Sequence, residues 1–284
     1  MTAQLNVIPI QSPGDPRISD YRDLKDRDLI GERGVFMAEG ELVIRRLIEQ
    51  SPLATKSLLL NPLRLASLTP TLDALDPAIP IYTADQEVFD TIAGFHIHRG
   101  ALACGEPPAP RSIESLLEGL SAVATVALLE DLANNDNVGG VFRSASAFGL
   151  SGVALTDRCA DPLYRKSIRV SVGAALTMPF VRVASAAEAI DALRTAGFAT
   201  LALTPASDAI EIGQWVQRRP LPERIALVLG AEGPGLKMKT TRAADCRIRL
   251  GRMVGADSLN VAVAGAVAMH ALQNVRGDVE ASGQ

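Results

Sequence analysis

The sequence predicts an α/β protein, with a parallel sheet covered by helices over its C-terminal half and a smaller α/β unit before it. Three observations lead there. After residue 122, short apolar runs alternate with helical stretches, the pattern of parallel strands joined by crossover helices. A proline-rich stretch, GEPPAPRS at 105–112, separates this region from the preceding one, because proline disfavours both helix and central strand. The chain has 284 residues, 48% of them hydrophobic and 21% charged, enough for more than one ordinary domain and for a filled core.

The elements follow in order. In the first unit, residues 17–104, the stretch 36–50 (FMAEGELVIRRLIEQ) places Leu42, Val43, Leu47 and Ile48 at helical spacing. KSLLLN, IPIYTA and GALAC read as short strands. Residues 105–121 are a linker. In the second unit, residues 122–277, buried strands are expected at 123–132, 152–156, 198–204, 225–230 and 246–250. Helices are expected at 139–149, 186–197 and 258–275, the last rich in small residues that let backbones approach closely. Asn137 is an expected N-cap of the first of these helices and Gly149 its stop; Asp257 or Ser258 is the expected cap of the last.

Composition narrows the function. No apolar run reaches the roughly 20 residues of a membrane helix, and the N-terminal stretch lacks a secretory pattern. Cys104, Cys159 and Cys246 are far apart and show no metal-ligand spacing, so a reducing, cytoplasmic setting without a bound metal is expected. A net charge of −4 argues against a protein that coats nucleic acid generally. Two local basic clusters, at 158–169 and 237–252, fit either a selective phosphate-bearing partner or a mixed solvated surface.

In open parallel sheets, ligands gather beyond the carboxyl ends of the strands. Three such places carry unusual residues. In 128–149 a strand runs into an asparagine-rich turn and a helix, with Arg143 near its start, where a cation opposes the dipole; surface salt bridging is the alternative reading. In 225–236 Gly230, Gly233 and Gly235 follow a strand around Glu232, which could accept ligand donors or cap a helix. The spacing is neither a dinucleotide fingerprint nor a P-loop. In 247–266 Ser258 and Asn260 stand at the start of the last helix, where an anionic group is favoured. His96 and His98 lack a third ligand for zinc and read equally well as a polar patch, and His270 reads as structural.

Taken together and in this order, the three segments resemble the SPOUT superfamily of RNA methyltransferases, specifically the SpoU/TrmH-like ribose 2'-O-methyltransferases. Asn137, Arg143, Ala145 and Gly149 match the first family motif; Gly230, Glu232, Gly233, Gly235 and Leu236 the second; Ser258, Leu259, Asn260, Val261 and Ala262 the third. Where the family commonly carries Ile-Pro-Met, this chain has Leu250, Gly251 and Arg252. The first unit has a weaker likeness to kink-turn-binding ribosomal proteins. The resemblance implies a C-terminal trefoil knot, which ordinary topology rules disfavour. It also implies a homodimer whose active site uses both subunits, and S-adenosylmethionine held near Gly230, Gly235, Leu250 and Leu259. The implied reaction is methylation of a ribose 2'-hydroxyl in structured RNA, rRNA before tRNA, with catalytic roles for Arg143, Asn137, Ser258, Asn260 and Glu232. Because a guanidinium stays protonated, Arg143 suits a phosphate clamp that stabilises alkoxide charge better than a base. Two other readings compete: an RNA-binding protein that keeps the fold without the reaction, and a nucleotide-dependent enzyme using Gly230–Gly235 for phosphates.

Overall fold

The computed structural model describes residues 5–22, 26–93, 100–218, 220–251 and 258–282. His96, His98, Arg252 and Asp257 lie outside them. Over the described residues the chain divides into two compact units, Met1–Ala109 with Pro162–Thr177, and Pro110–Asp161 with Met178–Gln284.

The first unit holds β1 (Val7–Pro9), α1 (Asp26–Gly31), β2 (Phe36–Glu39), α2 (Glu41–Glu49), β3 (Thr55–Leu60), α3 (Pro62–Leu72), β4 (Ile81–Thr83), α4 (Gln86–Ala93) and β5 (Ala101–Gly105). The strands form a mixed sheet ordered β1-β4-β3-β5-β2, antiparallel at the β3–β5 and β5–β2 pairs. The continuous helical pattern expected over 36–50 breaks at Gly40, whose φ of +96° turns strand β2 into helix α2. Val43, Ile44 and Leu47 are the buried face of α2; of the four positions expected, Leu42 is 58% exposed and Ile48 only half-buried, and Ile44 completes the stripe instead. Tyr21 is fully buried, its hydroxyl 2.7 Å from Ser57 Oγ. That pairing removes the cost of an unsatisfied polar group in the core.

Residues 105–121 are not wholly the linker expected: from Pro110 on they belong to the second unit, and Ile113, Leu116 and Leu117 are buried in its core. Helix α5 (Ile113–Glu118) forms within residues 105–121, capped by Ser112, whose side chain accepts from the Ser115 N–H. The second unit continues with β6 (Ala124–Glu130), α6 (Asn135–Ala147) and β7 (Gly152–Thr156). The chain then contributes α7 (Arg165–Val170) to the first unit, where Arg46 donates to the Val172 carbonyl at 2.9 Å. It returns with β8 (Phe180–Val183), α8 (Ala186–Thr195), β9 (Ala199–Leu203), β10 (Ile210–Glu211), α9 (Ile212–Trp215), β11 (Arg224–Gly230), α10 (Met238–Ala243), β12 (Cys246–Arg249) and α11 (Val261–Ser282).

The second sheet is seven-stranded, ordered β10-β12-β9-β11-β6-β7-β8, and every pair is parallel. Its centre is apolar on both faces, as a doubly covered parallel sheet requires: all of β6 and six residues of β11 are buried. Leu128, Ile190, Leu193, Phe198 and Val228 join strand and helix faces in one core. The edge strands β8 and β10 are short and only partly buried, which is why no apolar run announced them. From β6 the chain steps outward through β7 to β8, then crosses to β9. Strand β11 inserts between β9 and β6, and β12 between β10 and β9. The carboxyl ends of β6, β9, β11 and β12 therefore lie side by side.

Candidate active site

Helix α6 starts earlier than the sequence indicated. Its N-cap is Asn134, not Asn137: Asn134 Oδ1 accepts from the Asp136 N–H at 2.7 Å. Asn137, one turn in, is freed from capping and is 5% exposed. The helix ends as expected at Gly149. There φ is +66°, the Gly149 N–H reaches the Ser146 carbonyl and the Leu150 N–H the Ala145 carbonyl. This double closure uses the last carbonyls of the helix and favours glycine at that position.

At the end of β11 the chain makes a closed loop. Gly235 N donates to Ala231 O at 3.0 Å, and the two residues form an isolated bridge. Gly230 lies under this bridge, where a Cβ would stand 2.3 Å from the Leu236 nitrogen and 2.5 Å from the Gly235 carbonyl carbon. Any side chain there collides with backbone, so the loop needs glycine for close approach.

Helix α11 begins with Asn260 as its cap, not Ser258. Asn260 Oδ1 accepts from the backbone N–H of Ala262 at 3.0 Å and of Val263 at 3.3 Å. The other end of the same amide, Nδ2, donates to Asn137 Oδ1 at 2.8 Å and to Glu232 Oε1 at 2.7 Å. One side chain thus ties together the three segments singled out in the sequence. With its oxygen committed to the helix, the amide can present only donors to Asn137 and Glu232.

Beside this junction is a cavity of about 670 Å³. Gly230, Gly235, Leu250 and Leu259 all line it, as do Glu232, Ser258 and Asn260. A volume in the range of about 300–1,000 Å³ is that of a small-molecule site. The sequence reading missed one wall, formed by Leu203, Thr204, Pro205 and Ser207 after β9. The signal was available, because this too is the carboxyl end of a parallel strand. Arg249 also faces the cavity, but its guanidinium is held by the Ala209 carbonyl and by Glu211 Oε1 at 2.6 Å.

Arg143 is placed differently. It is exposed on α6, outside the cavity lining, and it makes no hydrogen bond or ion pair with the described residues. Six residues after Asn137, it points about 120° away around the helix axis. Three of the described cations of the basic cluster at 237–252 are paired within the protein: Lys237 with Asp131 at 2.7 Å, Arg247 with Asp208 at 2.8 Å, Arg249 with Glu211. Burial raises the Asp131 carboxyl, but the Lys237 ammonium and Thr156 hydroxyl bonded to it outweigh that and hold it below the ordinary carboxylate range. His270 packs against the Phe148 ring at 5.6 Å.

A parallel sheet with three segments joined at Asn260, two of them lining one cavity beyond the strand ends, is the architecture of a cofactor-dependent α/β enzyme. The chain belongs to the SpoU rRNA methylase family, whose family model matches residues 124–270 and so takes in all three loops. Over 273 residues it is 38% identical to an uncharacterized tRNA/rRNA methyltransferase of Mycobacterium tuberculosis, covering 94% of this chain and 91% of that protein. Over 268 residues it is 24% identical to the 23S rRNA (guanosine(2553)-2'-O)-methyltransferase RlmP of Bacillus subtilis, covering 93% and 98%. The fold matches that of an AdoMet-bound rRNA methyltransferase from Sinorhizobium meliloti with a TM-score of 0.78 at 22% identity, over 95% of this chain and 98% of that one. It also matches the SpoU methyltransferase AviRb of Streptomyces viridochromogenes, with a TM-score of 0.77 at 20% identity over 93% and 98%. No described helix is long and apolar enough to cross a membrane.

Proposed function

We propose that this protein transfers a methyl group from S-adenosylmethionine to a ribose 2'-hydroxyl of structured rRNA. The observation that carries the proposal is the junction at Asn260, which joins Asn137 and Glu232 at the edge of a cavity walled by the glycine loop. The cavity fits the cofactor in kind: it is large enough, and the crowded Gly230 keeps the loop folded tightly on itself beside it. Gly230, Gly235, Leu250 and Leu259 would hold the cofactor, which supplies a methyl already activated on a sulfonium. The RNA relatives and the AdoMet-bound neighbour support this reading.

The work left to the protein is alignment and charge control. Asn137, Asn260, Ser258 and Glu232 orient the ribose beside the cavity. The Arg143 guanidinium clamps the neighbouring phosphate and stabilises charge developing on the 2'-oxygen. Because Arg143 points away from its own Asn137, we assign it to the site of a second copy in a homodimer. Leu259, Val263 and Val267, exposed at 40%, 51% and 45%, form a stripe on and just before α11 that suits such an interface. In this reading residues 17–104 recognise RNA in the manner of kink-turn-binding domains, and 122–277 form a methyltransferase domain with a trefoil knot. The enzyme would act in the cytoplasm, where its RNA is found.

Incubation of the protein with labelled S-adenosylmethionine and unmodified rRNA or tRNA, followed by mapping of the methylated nucleotide, tests the proposal. Label on an rRNA ribose is expected. Label on tRNA favours the alternative substrate, which the M. tuberculosis relative's description also covers. Binding of RNA without uptake of the cofactor would make the protein a non-catalytic RNA binder.

A further inference from the structure

We propose that Glu130 is a positioning residue for the loop Ala231–Leu236, an inference that rests on assigning the adjoining cavity to S-adenosylmethionine. Glu130 ends β6 and is 2% exposed. Apart from Thr125, the rest of that strand is apolar. A carboxylate so deeply placed is costly unless its oxygens are bonded, so an apolar residue would be the cheap occupant.

Its bonds show what it does instead. In the β6–β11 ladder Glu130 pairs with Gly230, the residue from which the loop departs. Glu130 Oε2 accepts the N–H of Lys237, where the loop returns, at 2.8 Å. Glu130 Oε1 accepts the hydroxyl of Thr240, itself 1% exposed, at 2.6 Å. One buried side chain standing beside the loop's departure therefore fastens its return. The next residue reinforces this: Asp131, at φ +57°, holds the Lys237 ammonium at 2.7 Å. Between the fixed ends, Ala231, Glu232, Gly233 and Gly235 form one wall of the cavity. Glu130 reaches the cofactor only through them. Without it the Lys237 N–H loses its acceptor, and the loop is held closed only by the bridge between Gly235 and Ala231.

The test uses the full-length protein with S-adenosylmethionine as the calorimetric probe, together with steady-state kinetics on RNA. Glu130→Leu is expected to weaken cofactor binding about tenfold, the scale of a lost hydrogen bond to a charged group. The rise should appear in KM for the cofactor, with kcat at saturating cofactor and KM for RNA little changed. Glu130→Gln should restore affinity to within about threefold, since its amide oxygen can accept from Lys237 while its NH2 donates to the Thr240 hydroxyl. A folded Glu130→Leu protein with wild-type affinity overturns the role. So does a Glu130→Gln protein as weak as Glu130→Leu, which would make charge rather than tethering the agent. Should Glu130→Leu not fold, Thr240→Val decides: weakened cofactor binding supports the tether, and unchanged binding overturns it. A wild-type protein that takes up no cofactor overturns the cavity assignment, and this role with it; wild-type uptake with unaffected variants overturns this role alone.

Discussion

Asn260 Nδ2 donates to Asn137 Oδ1 at 2.8 Å across 123 residues of sequence, while Asn260 Oδ1 caps the helix that follows it. Stability and site geometry are therefore carried by one amide. Asn260→Ala removes the cap and strands the buried Asn137 oxygen, and is expected to cost about 1–3 kcal/mol in urea unfolding. Asn260→Asp keeps the cap but loses both donors and sets a carboxylate against Glu232. It should unfold less easily than the alanine variant, yet lose methyl transfer to a similar degree.

Arg143 should separate the two properties in the opposite way. It is exposed and bonded to none of the described residues, so Arg143→Ala should leave stability within about 0.5 kcal/mol of wild type. Methyl transfer to RNA should fall at least about a hundredfold if the guanidinium stabilises the reacting oxygen. Wild-type turnover by the folded variant would remove Arg143 from the site.

If Arg143 serves a neighbouring copy, activity depends on association. Val263→Asp and Val267→Asp place charge on the exposed stripe of α11. Sedimentation should show a dimer for the wild type and a monomer for the double variant. Mixing an Arg143→Ala chain with an Asn260→Ala chain should recover part of the activity, because one composite site then retains both residues.

The glycine loop is open to a direct steric test. Gly230→Ala drives a Cβ to 2.3 Å from the Leu236 nitrogen, a contact the backbone must move to relieve. Overpacking of this kind costs about 1–3 kcal/mol. Calorimetry should show lost or strongly weakened binding of S-adenosylmethionine, whereas Gly213→Ala, at a position with open space, should bind normally.

Acid sensitivity follows from Asp245. Burial pulls its carboxyl upward, but the Thr200 N–H and hydroxyl, at 2.8 and 2.7 Å, and Arg194 outweigh it and hold it below the ordinary 3.8. A carboxylate depressed in the folded state stabilises it fully above the unfolded value, and that contribution is lost as pH falls through the folded one. Thermal melts should therefore show a loss of stability below about pH 4. Asp245→Asn should flatten part of that slope while lowering stability at neutral pH.

The central strands and the two long helices of the second unit were legible because doubly buried strands and amphipathic or small-residue helices leave strong patterns. Strands 152–156 and 225–230 appear within a residue of where the apolar runs put them. Strands β8 and β10 were not legible, since edge strands bury too little to need such runs. The helix caps were misplaced for one reason: several Asn, Asp and Ser residues stood near each start, and only the fold decides which of them reaches the free N–H groups. The three loops could be named from their residues. The bonds joining Asn137, Glu232 and Asn260, the Leu203–Ser207 wall and the tether at Glu130 depend on which strand lies beside which, and no local pattern encodes that.

Strand order also bears on how the molecule comes into being. Arg224 pairs with Ala124 at the start of the β6–β11 ladder, so the sheet's midline is completed by a segment a hundred residues later than its partner. Until then β6 and β9 have a vacant lane between them, with backbone N–H and C=O groups left unpaired. Contacts so distant along the chain form slowly. During synthesis this unit should remain incomplete until its last third has emerged, and a helper that shields the open lane should raise the yield of active protein.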